Sequence, residues 1–138
     1  MASSIRFSDL SNANQLLRGF FDLQAGTWRW AGPRFAVQLG TPAGGATRGA
    51  RLVLDFNLPE SSIAALKTVT VTAKIGGLLL PPQTYSTAGA HRYEADVPAS
   101  AVVPQQVTVE FSVDKSLTPP NDSRKLALIV TAISLEPK

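Results

Sequence analysis

Alternation of apolar and polar residues is the feature that most restricts what this chain can fold into. Four segments carry apolar residues at every second position: "LVLDFNL" (52–58), "TVTVTAKI" (68–75), "HRYEADVP" (91–98) and "QVTVEFSVD" (106–114). Successive side chains of a strand point to opposite faces, so each segment predicts a strand with one buried face and one face in water. The many valines and threonines in these segments also favour strands.

Two further segments extend the pattern. "RFAVQLG" (34–40) gives a weaker strand, and "KLALIVTAISLE" (125–136) alternates until Val130 and resumes at Ile133, which indicates a bulge or a change of sheet. Turn-rich segments separate the strands, and "IGGLLL" predicts a hairpin after the second segment. No segment of helical period lies between strands, so parallel βαβ units are not expected. The sequence therefore predicts an all-β fold, an antiparallel β-sandwich.

Helical signals are confined to two short segments. One is "SDLSNANQLLRGFF" (8–21), with Ser8 or Ser11 as N-cap, and the other is "PESSIAALK" (59–67), which fits one helical turn bridging two sheets. We interpret residues 1–18 as a short, partly helical N-terminal arm and residues 19–138 as a single β-sandwich domain. A chain of 138 residues is long enough for one domain with its own core.

Composition removes several classes of function. The chain has no cysteine, which excludes disulfides, thiolate metal sites and cysteine nucleophiles. His91 is the one histidine, so no zinc site of imidazole and thiolate can form, and at the start of its strand we expect it to face solvent. The net charge of +3 comes from cations spread singly along the chain, which disfavours nucleic acid as a partner.

Signals for location and for chemistry are equally sparse. The apolar runs are too short to span a bilayer, and no secretory signal is expected, so the predicted partners include no membrane and the predicted location is cytoplasmic. The sequence contains no G-x-S-x-G nucleophile motif, no phosphate-binding glycine loop, no convergent acid pair and no oxygen-rich calcium loop. We predict a non-catalytic protein without a metal or a cofactor.

The two tryptophans stand one residue apart in "GTWRWAGPRF" (26–35), with Arg29 between them and Arg34 after them. Exposed aromatic rings beside arginine suit stacking on sugar rings. In an extended segment, however, Trp28 and Trp30 face the same side and can close one end of the core, with Arg29 pointing away. Burial of at least one ring is the favoured interpretation, because large aromatic side chains are mostly buried in a domain of this size.

A second constellation lies in the proline-led loop "LTPPNDSRKLAL" (117–128). Asp122 can stabilise the turn by hydrogen bonds to nearby backbone groups, and Arg124 can form a bidentate ion pair with a carboxylate. Such a pair favours a structural clamp. The alternative is a polar rim beside the tryptophans, in which Asp122 and Arg124 bind the hydroxyls of a ligand.

Taken in order, the two constellations resemble those of small β-sandwich domains that accompany bacterial glycosyltransferases and polysaccharide-biosynthesis proteins. The pattern spans about residues 19 to 136, and its matching residues are Gly19, Phe20, Trp28, Arg29, Trp30, Pro120, Asp122, Arg124 and Leu126. Two features depart from it: Ala127 stands where a glycine is expected, and "DLQAGT" replaces an acidic or proline-rich approach to the first tryptophan.

The resemblance implies a jelly-roll or galactose-binding-like fold of the carbohydrate-binding-module type, acting as an accessory domain. The function expected from it is non-catalytic glycan binding, with Trp28, Arg29, Trp30, Arg34, Asp122 and Arg124 as candidate ligand-binding residues. A different role, as a structural or assembly domain without a sugar ligand, is also open. The partners are then a second copy of the chain or another protein, such as a glycosyltransferase.

Overall fold

The computed structural model describes all 138 residues and contains ten strands, two short α-helices and two 3₁₀ helices. The strands are β1 (Ser4–Arg6), β2 (Leu16–Gln24), β3 (Trp28–Gly40), β4 (Ala50–Leu58), β5 (Val69–Ile75), β6 (Leu78–Leu79), β7 (Gln83–Tyr85), β8 (Gly89–Val97), β9 (Gln106–Val113) and β10 (Leu128–Pro137). The α-helices are α1 (Gly45–Arg48) and α2 (Glu60–Leu66), and the 3₁₀ helices are Leu10–Gln15 and Ala99–Ala101. None of these helices has the length and apolar character needed to cross a lipid bilayer.

The strand β3 divides the fold into two layers, because its two halves pair with different neighbours. Residues 29–31 pair with β10, which continues through β4 to β8, and we call this layer the front sheet. Residues 34–40 pair with β9, which continues to β5 with β6 and β7, and we call this layer the back sheet. Pro33 lies between the two halves, where the lack of an amide hydrogen removes no bond of either ladder.

Side chains of the two layers meet in one core, which confirms the predicted all-β antiparallel sandwich. Tyr93 of β8 contacts Phe111 of β9 edge to face, with ring centroids 6.4 Å apart, and Phe56 of β4 contacts Tyr85 of β7 at 5.0 Å. Every strand pair is antiparallel. The alternating residues of the four clear strands enter the core as predicted, from Leu52 to Val113.

Three local predictions are confirmed. The register of β10 on β4 shifts between Val130 and Ala132, at the break in alternation, and β10 also changes its other neighbour there from β3 to β1. Gly76 and Gly77 both have positive φ, +56° and +84°, as a two-residue hairpin turn between β5 and β6 requires. The helix α2 connects β4 of the front sheet to β5 of the back sheet.

The N-terminal segment departs from the helix predicted over residues 8–21. The helical part is a 3₁₀ turn, and its N-cap is Asp9, whose carboxylate accepts the backbone N–H of Ser11 at 3.0 Å. The rest of the predicted helix forms β2, because Leu16, Phe20 and Leu23 pack on the core only when the chain runs extended along β3. The N-cap prediction was therefore wrong, and so was the helix beyond residue 15.

Residues before β2 also belong to the core. Ile5 of β1 and Phe7 are buried, and Phe7 contacts Phe20 edge to face at 5.5 Å. The predicted arm boundary after residue 18 falls inside β2. The first residues are thus held by β10 on one side and by β3 on the other.

Candidate functional site

The two tryptophans project from the outer face of β3. Ala31, Phe35, Val37 and Leu39 of this strand are all buried, so the odd-numbered positions face the core and the even-numbered ones face outward. Both indole rings are half-buried, and neither belongs to the core. The interpretation that at least one ring is buried in the core was therefore wrong, because the alternation has the predicted period but the opposite phase.

The two rings form a corner and not a flat platform. Their centroids are 6.3 Å apart and their planes meet at 81°, an edge-to-face contact. The half of β3 that carries them belongs to the front sheet, where Trp30 pairs with Ile129 of β10. A planar ligand can stack on one indole ring at a time, with the second ring as a side wall.

A polar depression of about 390 Å³ opens on the same face and is lined by Thr27, the residue before Trp28. Thr131, which also lines it, follows Val130, and Val130 pairs with Arg29, the residue after Trp28. The lining residues come from four separate segments of the chain and are Arg6, Ser8, Thr27, Asp55, Thr131 and Ala132. We call this depression, together with Trp28 and Trp30, the front site.

The ionic groups of the front site differ in how far they are already paired. Arg92 of β8 donates to Asp55 from Nε at 2.7 Å and from a terminal nitrogen at 3.3 Å, and to Glu94 at 3.4 Å. The hydrogen bonds to Asp55 are the main cause that raises the pKa of Arg92. Arg6 is exposed and makes no ion pair, so its guanidinium is free to bind a ligand.

Hydroxyl groups complete the front site. Thr131 donates its Oγ1 hydrogen to the carbonyl oxygen of Asp55 at 3.2 Å, which leaves oxygen lone pairs to accept from a ligand. Ser8 and Thr27 make no side-chain hydrogen bond within the chain and offer both a donor and an acceptor. The site thus combines an aromatic corner with hydroxyls and a free cation.

The other candidate residues lie elsewhere. Arg29 points to the opposite side of β3 from the tryptophans and donates to the carbonyl oxygen of Phe21 at 3.1 Å. Arg34 lies in the second half of β3, on the outer face of the back sheet. The six residues predicted to bind one ligand are therefore divided among several places.

Asp122 and Arg124 form the clamp that the loop sequence favoured. The Asp122 carboxylate accepts the backbone N–H of Arg124 at 2.8 Å and its guanidinium at 2.7 to 3.1 Å. These hydrogen bonds lower the pKa of Asp122 and raise that of Arg124. The guanidinium also lies over the ring of Phe21 in β2, 5.5 Å from its centroid, and no hydrogen bond or ion pair joins the clamp to either tryptophan.

His91 also differs from its prediction of a solvent-facing side chain. Its ring is half-buried at the end of the core-facing side of β8, with centroids 5.0 Å from Tyr85 and 5.7 Å from Phe56. Its Nε2 lies 2.7 Å from the carbonyl oxygen of Thr87. The histidine packs in the wall of the sandwich, away from the front site.

Sequence reasoning missed Arg6, Asp55 and Thr131. The outward position of Asp55 follows from the alternation of "LVLDFNL", so the polarity of this face could be predicted from the sequence. The convergence of the three residues could not be predicted, because it depends on β1 and β4 flanking β10 in the same layer. Continuing the alternation of "RFAVQLG" backwards places both tryptophans outward only if the strand keeps its phase through Gly32 and Pro33, which the sequence does not decide.

Comparison with known proteins identifies no family. No protein-family model matches the chain, and no curated protein matches it. Among solved structures, the chain is similar to the CBM36-1 domain of a multidomain xylanase from the hindgut metagenome of Trinervitermes trinervoides. The sequence identity is 11%, 88% of each chain is covered, and the TM-score is 0.48.

Proposed function

We propose that the protein is a non-catalytic, carbohydrate-binding-like module that binds a glycan at the front site. The observation that carries this proposal is the pair of tryptophans outside the core, next to a depression lined by hydroxyls and the unpaired Arg6. The C–H face of a sugar ring packs on an aromatic ring, and its hydroxyls need donors and acceptors at the edge of that contact. The front site offers both.

The geometry sets the mode of binding in this proposal. Because the two indole planes are nearly perpendicular, one sugar ring stacks on one indole while its neighbour contacts the other. Arg6 and Thr131 then hydrogen-bond hydroxyls of the same unit. The proposal also includes a cytoplasmic location and an accessory role beside an enzyme of glycan synthesis.

The alternative is an assembly domain that binds a second copy of the chain or a partner protein. Exposed Leu10 and Leu17 in the N-terminal segment support it, since both are large apolar side chains in water. Leu17 lies in β2, which has only β3 as a neighbour and so has one free edge. Three irregularities in the register of β2 oppose regular strand addition there.

A glycan array followed by calorimetry on the glycans that bind tests the proposal. We expect Trp28→Ala and Trp30→Ala each to weaken binding about tenfold or more, since each removes one wall of the corner. For uncharged glycans Arg34→Ala is the matched control, because Arg34 was a candidate from sequence but lies on the back sheet, and this variant should bind them with the affinity of the wild type.

Two results would overturn the proposal. One is an array without any bound glycan, and the other is unchanged affinity in both tryptophan variants. Light scattering on the same samples tests the alternative, the assembly domain. A mass that rises with concentration and falls to the monomer in a Leu10→Ser, Leu17→Ser variant favours assembly.

A further inference from the structure

The outer face of the back sheet is polar, and it lies on the opposite side of the molecule from the front site. Its side chains alternate with the core-facing residues of β3, β5 and β9, and Arg18 of β2 extends it. We call this surface the back face. Its members are Arg18, Arg34, Ala36, Gln38, Thr70, Thr72, Lys74, Thr108, Glu110 and Ser112.

The one acid of the back face is already paired. Arg18, Ala36 and Glu110 are in register across three strands, and the ion pair Arg18–Glu110, 2.8 Å long, passes over the small side chain of Ala36. Ala36 is 0% exposed although it belongs to an outer face, which the covering ion pair explains. The acid is therefore neutralised by Arg18.

Two cations of the back face form no ion pair, although one of them, Lys74, lies opposite Glu110 in the register of β5 and β9. Arg34 and Lys74 are both exposed, and neither forms an ion pair or a side-chain hydrogen bond within the chain. With strands about 4.8 Å apart and a rise of about 3.3 Å per residue, their Cα atoms lie about 12 Å apart. The back face thus carries two free positive charges at a fixed spacing.

Each of the two cations lines a shallow depression of the back face. A depression of about 210 Å³ is lined by Arg18, Arg34, Glu110 and Ser112 among others. A second one, of about 280 Å³, is lined by Lys74, Thr108, Glu110 and the hairpin glycines. Because Glu110 lines both, the two depressions adjoin each other across β3, β9 and β5, and together we call them the groove.

We propose that this groove is a second binding site, independent of the front site, and that it binds an anionic polysaccharide whose carboxylates contact Arg34 and Lys74. A guanidinium fork matches a carboxylate, and an ammonium group pairs with a second one along the same chain. The threonine and serine hydroxyls of the groove suit the sugar hydroxyls between the two charges. Two aromatic residues, Phe35 and Phe111, also line the groove, but both are core residues only 1% exposed. No aromatic ring is therefore available for bases to stack on, which disfavours single-stranded nucleic acid as the occupant.

Polygalacturonate, titrated calorimetrically at low salt, is the probe for this site. We expect Arg34→Ala and Lys74→Ala each to weaken its binding about tenfold, as loss of a charge-assisted hydrogen bond implies. Arg51→Ala is the matched control, since it removes the same charge from an exposed position on the front sheet. Raising the salt from about 0.05 M to about 0.5 M shortens the range of the attraction from about 14 Å to about 4 Å and should weaken binding further.

The outcomes separate this site from general charge attraction and from the front site. Equal loss in the Arg51→Ala variant, or wild-type affinity in both the Arg34 and the Lys74 variants, overturns the proposal. So does equal or tighter binding of a polyuridylate oligonucleotide. Retained polygalacturonate binding in Trp28→Ala and Trp30→Ala supports two independent sites, and its loss in those variants refutes independence.

Discussion

Replacing Gln15 with leucine tests most directly how the N-terminal segment is held. The Gln15 side chain is buried, and it joins the start of the chain to the last part of β3. Its amide nitrogen donates to the carbonyl oxygens of Ala2 at 2.9 Å and Gln38 at 2.8 Å, and its Oε1 accepts the N–H of Ala2 at 3.2 Å. Leucine keeps the approximate volume and removes all three hydrogen bonds.

The size of the effect follows from these contacts. A typical hydrogen bond contributes about 1 kcal/mol net, so three of them amount to about 3 kcal/mol of unfolding free energy. In the variant, water can hydrate the backbone groups of the half-exposed Ala2, so that only the Gln38 carbonyl is left buried without a partner. The lower limit for the loss of unfolding free energy is then about 2 kcal/mol. For a domain of this length, 3 kcal/mol corresponds to a fall of about 10 °C in Tm.

Chemical denaturation and thermal unfolding of the full chain measure this loss. Gln106→Leu is the matched control, because Gln106 is exposed at the start of β9 and makes no side-chain hydrogen bond, so its stability should change by less than about 0.5 kcal/mol. A Gln15→Leu protein within about 0.5 kcal/mol of wild type would refute the reasoning, since the segment before β2 would then contribute no buried polar contact.

Three further predictions follow from single positions. Gly19→Ala should destabilise by more than about 2 kcal/mol in urea unfolding, because φ is +87° and the added Cβ would clash with backbone, whereas Gly26→Ala, with positive φ but open space, should lose about 1 kcal/mol. Asp122→Asn should lower stability at neutral pH but not in acid, because the pKa of Asp122 is lowered in the folded state: the contribution of the carboxylate to stability is complete above the ordinary value near 4 and is lost as the pH falls through the folded pKa. Equal losses of stability at both pH values would contradict this prediction. Burial, with a smaller effect of Tyr93, raises the pKa of Tyr85 to about 12, so the stabilising contribution of Tyr85 should persist below pH 10 and be lost as the pH rises towards 12. Tyrosinate absorbance from Tyr85 near pH 10, assigned by comparison with Tyr85→Phe, would contradict this prediction.

The strands could be predicted from the sequence because their signal is local. Alternation in "QVTVEFSVD" requires only that one face is buried and one is wet, and every apolar residue of that segment does enter the core. The same holds for the break between Val130 and Ile133 and for the hairpin glycines. The helix predicted for residues 16–21 was wrong because "LLRGFF" fits both a helical and an extended pattern, and pairing with β3 decides between them.

The candidate site was predicted less well than the strands because convergence is not a local property. Asp122 and Arg124 are two residues apart, so their clamp could be foreseen, while their contact with Phe21 could not. Arg29 and Arg34 were grouped with the tryptophans by proximity in sequence. The change of partner strand between residues 31 and 34 and the two-residue alternation place them on other faces.

The sequence by itself determined that this chain forms half-buried antiparallel strands and that Trp28 and Trp30 share one side of their strand. Only the tertiary structure decided which side that is. Phe35, Val37 and Leu39 bury against β9, and β3 keeps its phase through Gly32 and Pro33, so the tryptophans are turned outward. The tertiary structure also brings Arg6, Asp55 and Thr131 to them, because the pairing of β1 and β4 with β10 joins residues that lie far apart in the chain.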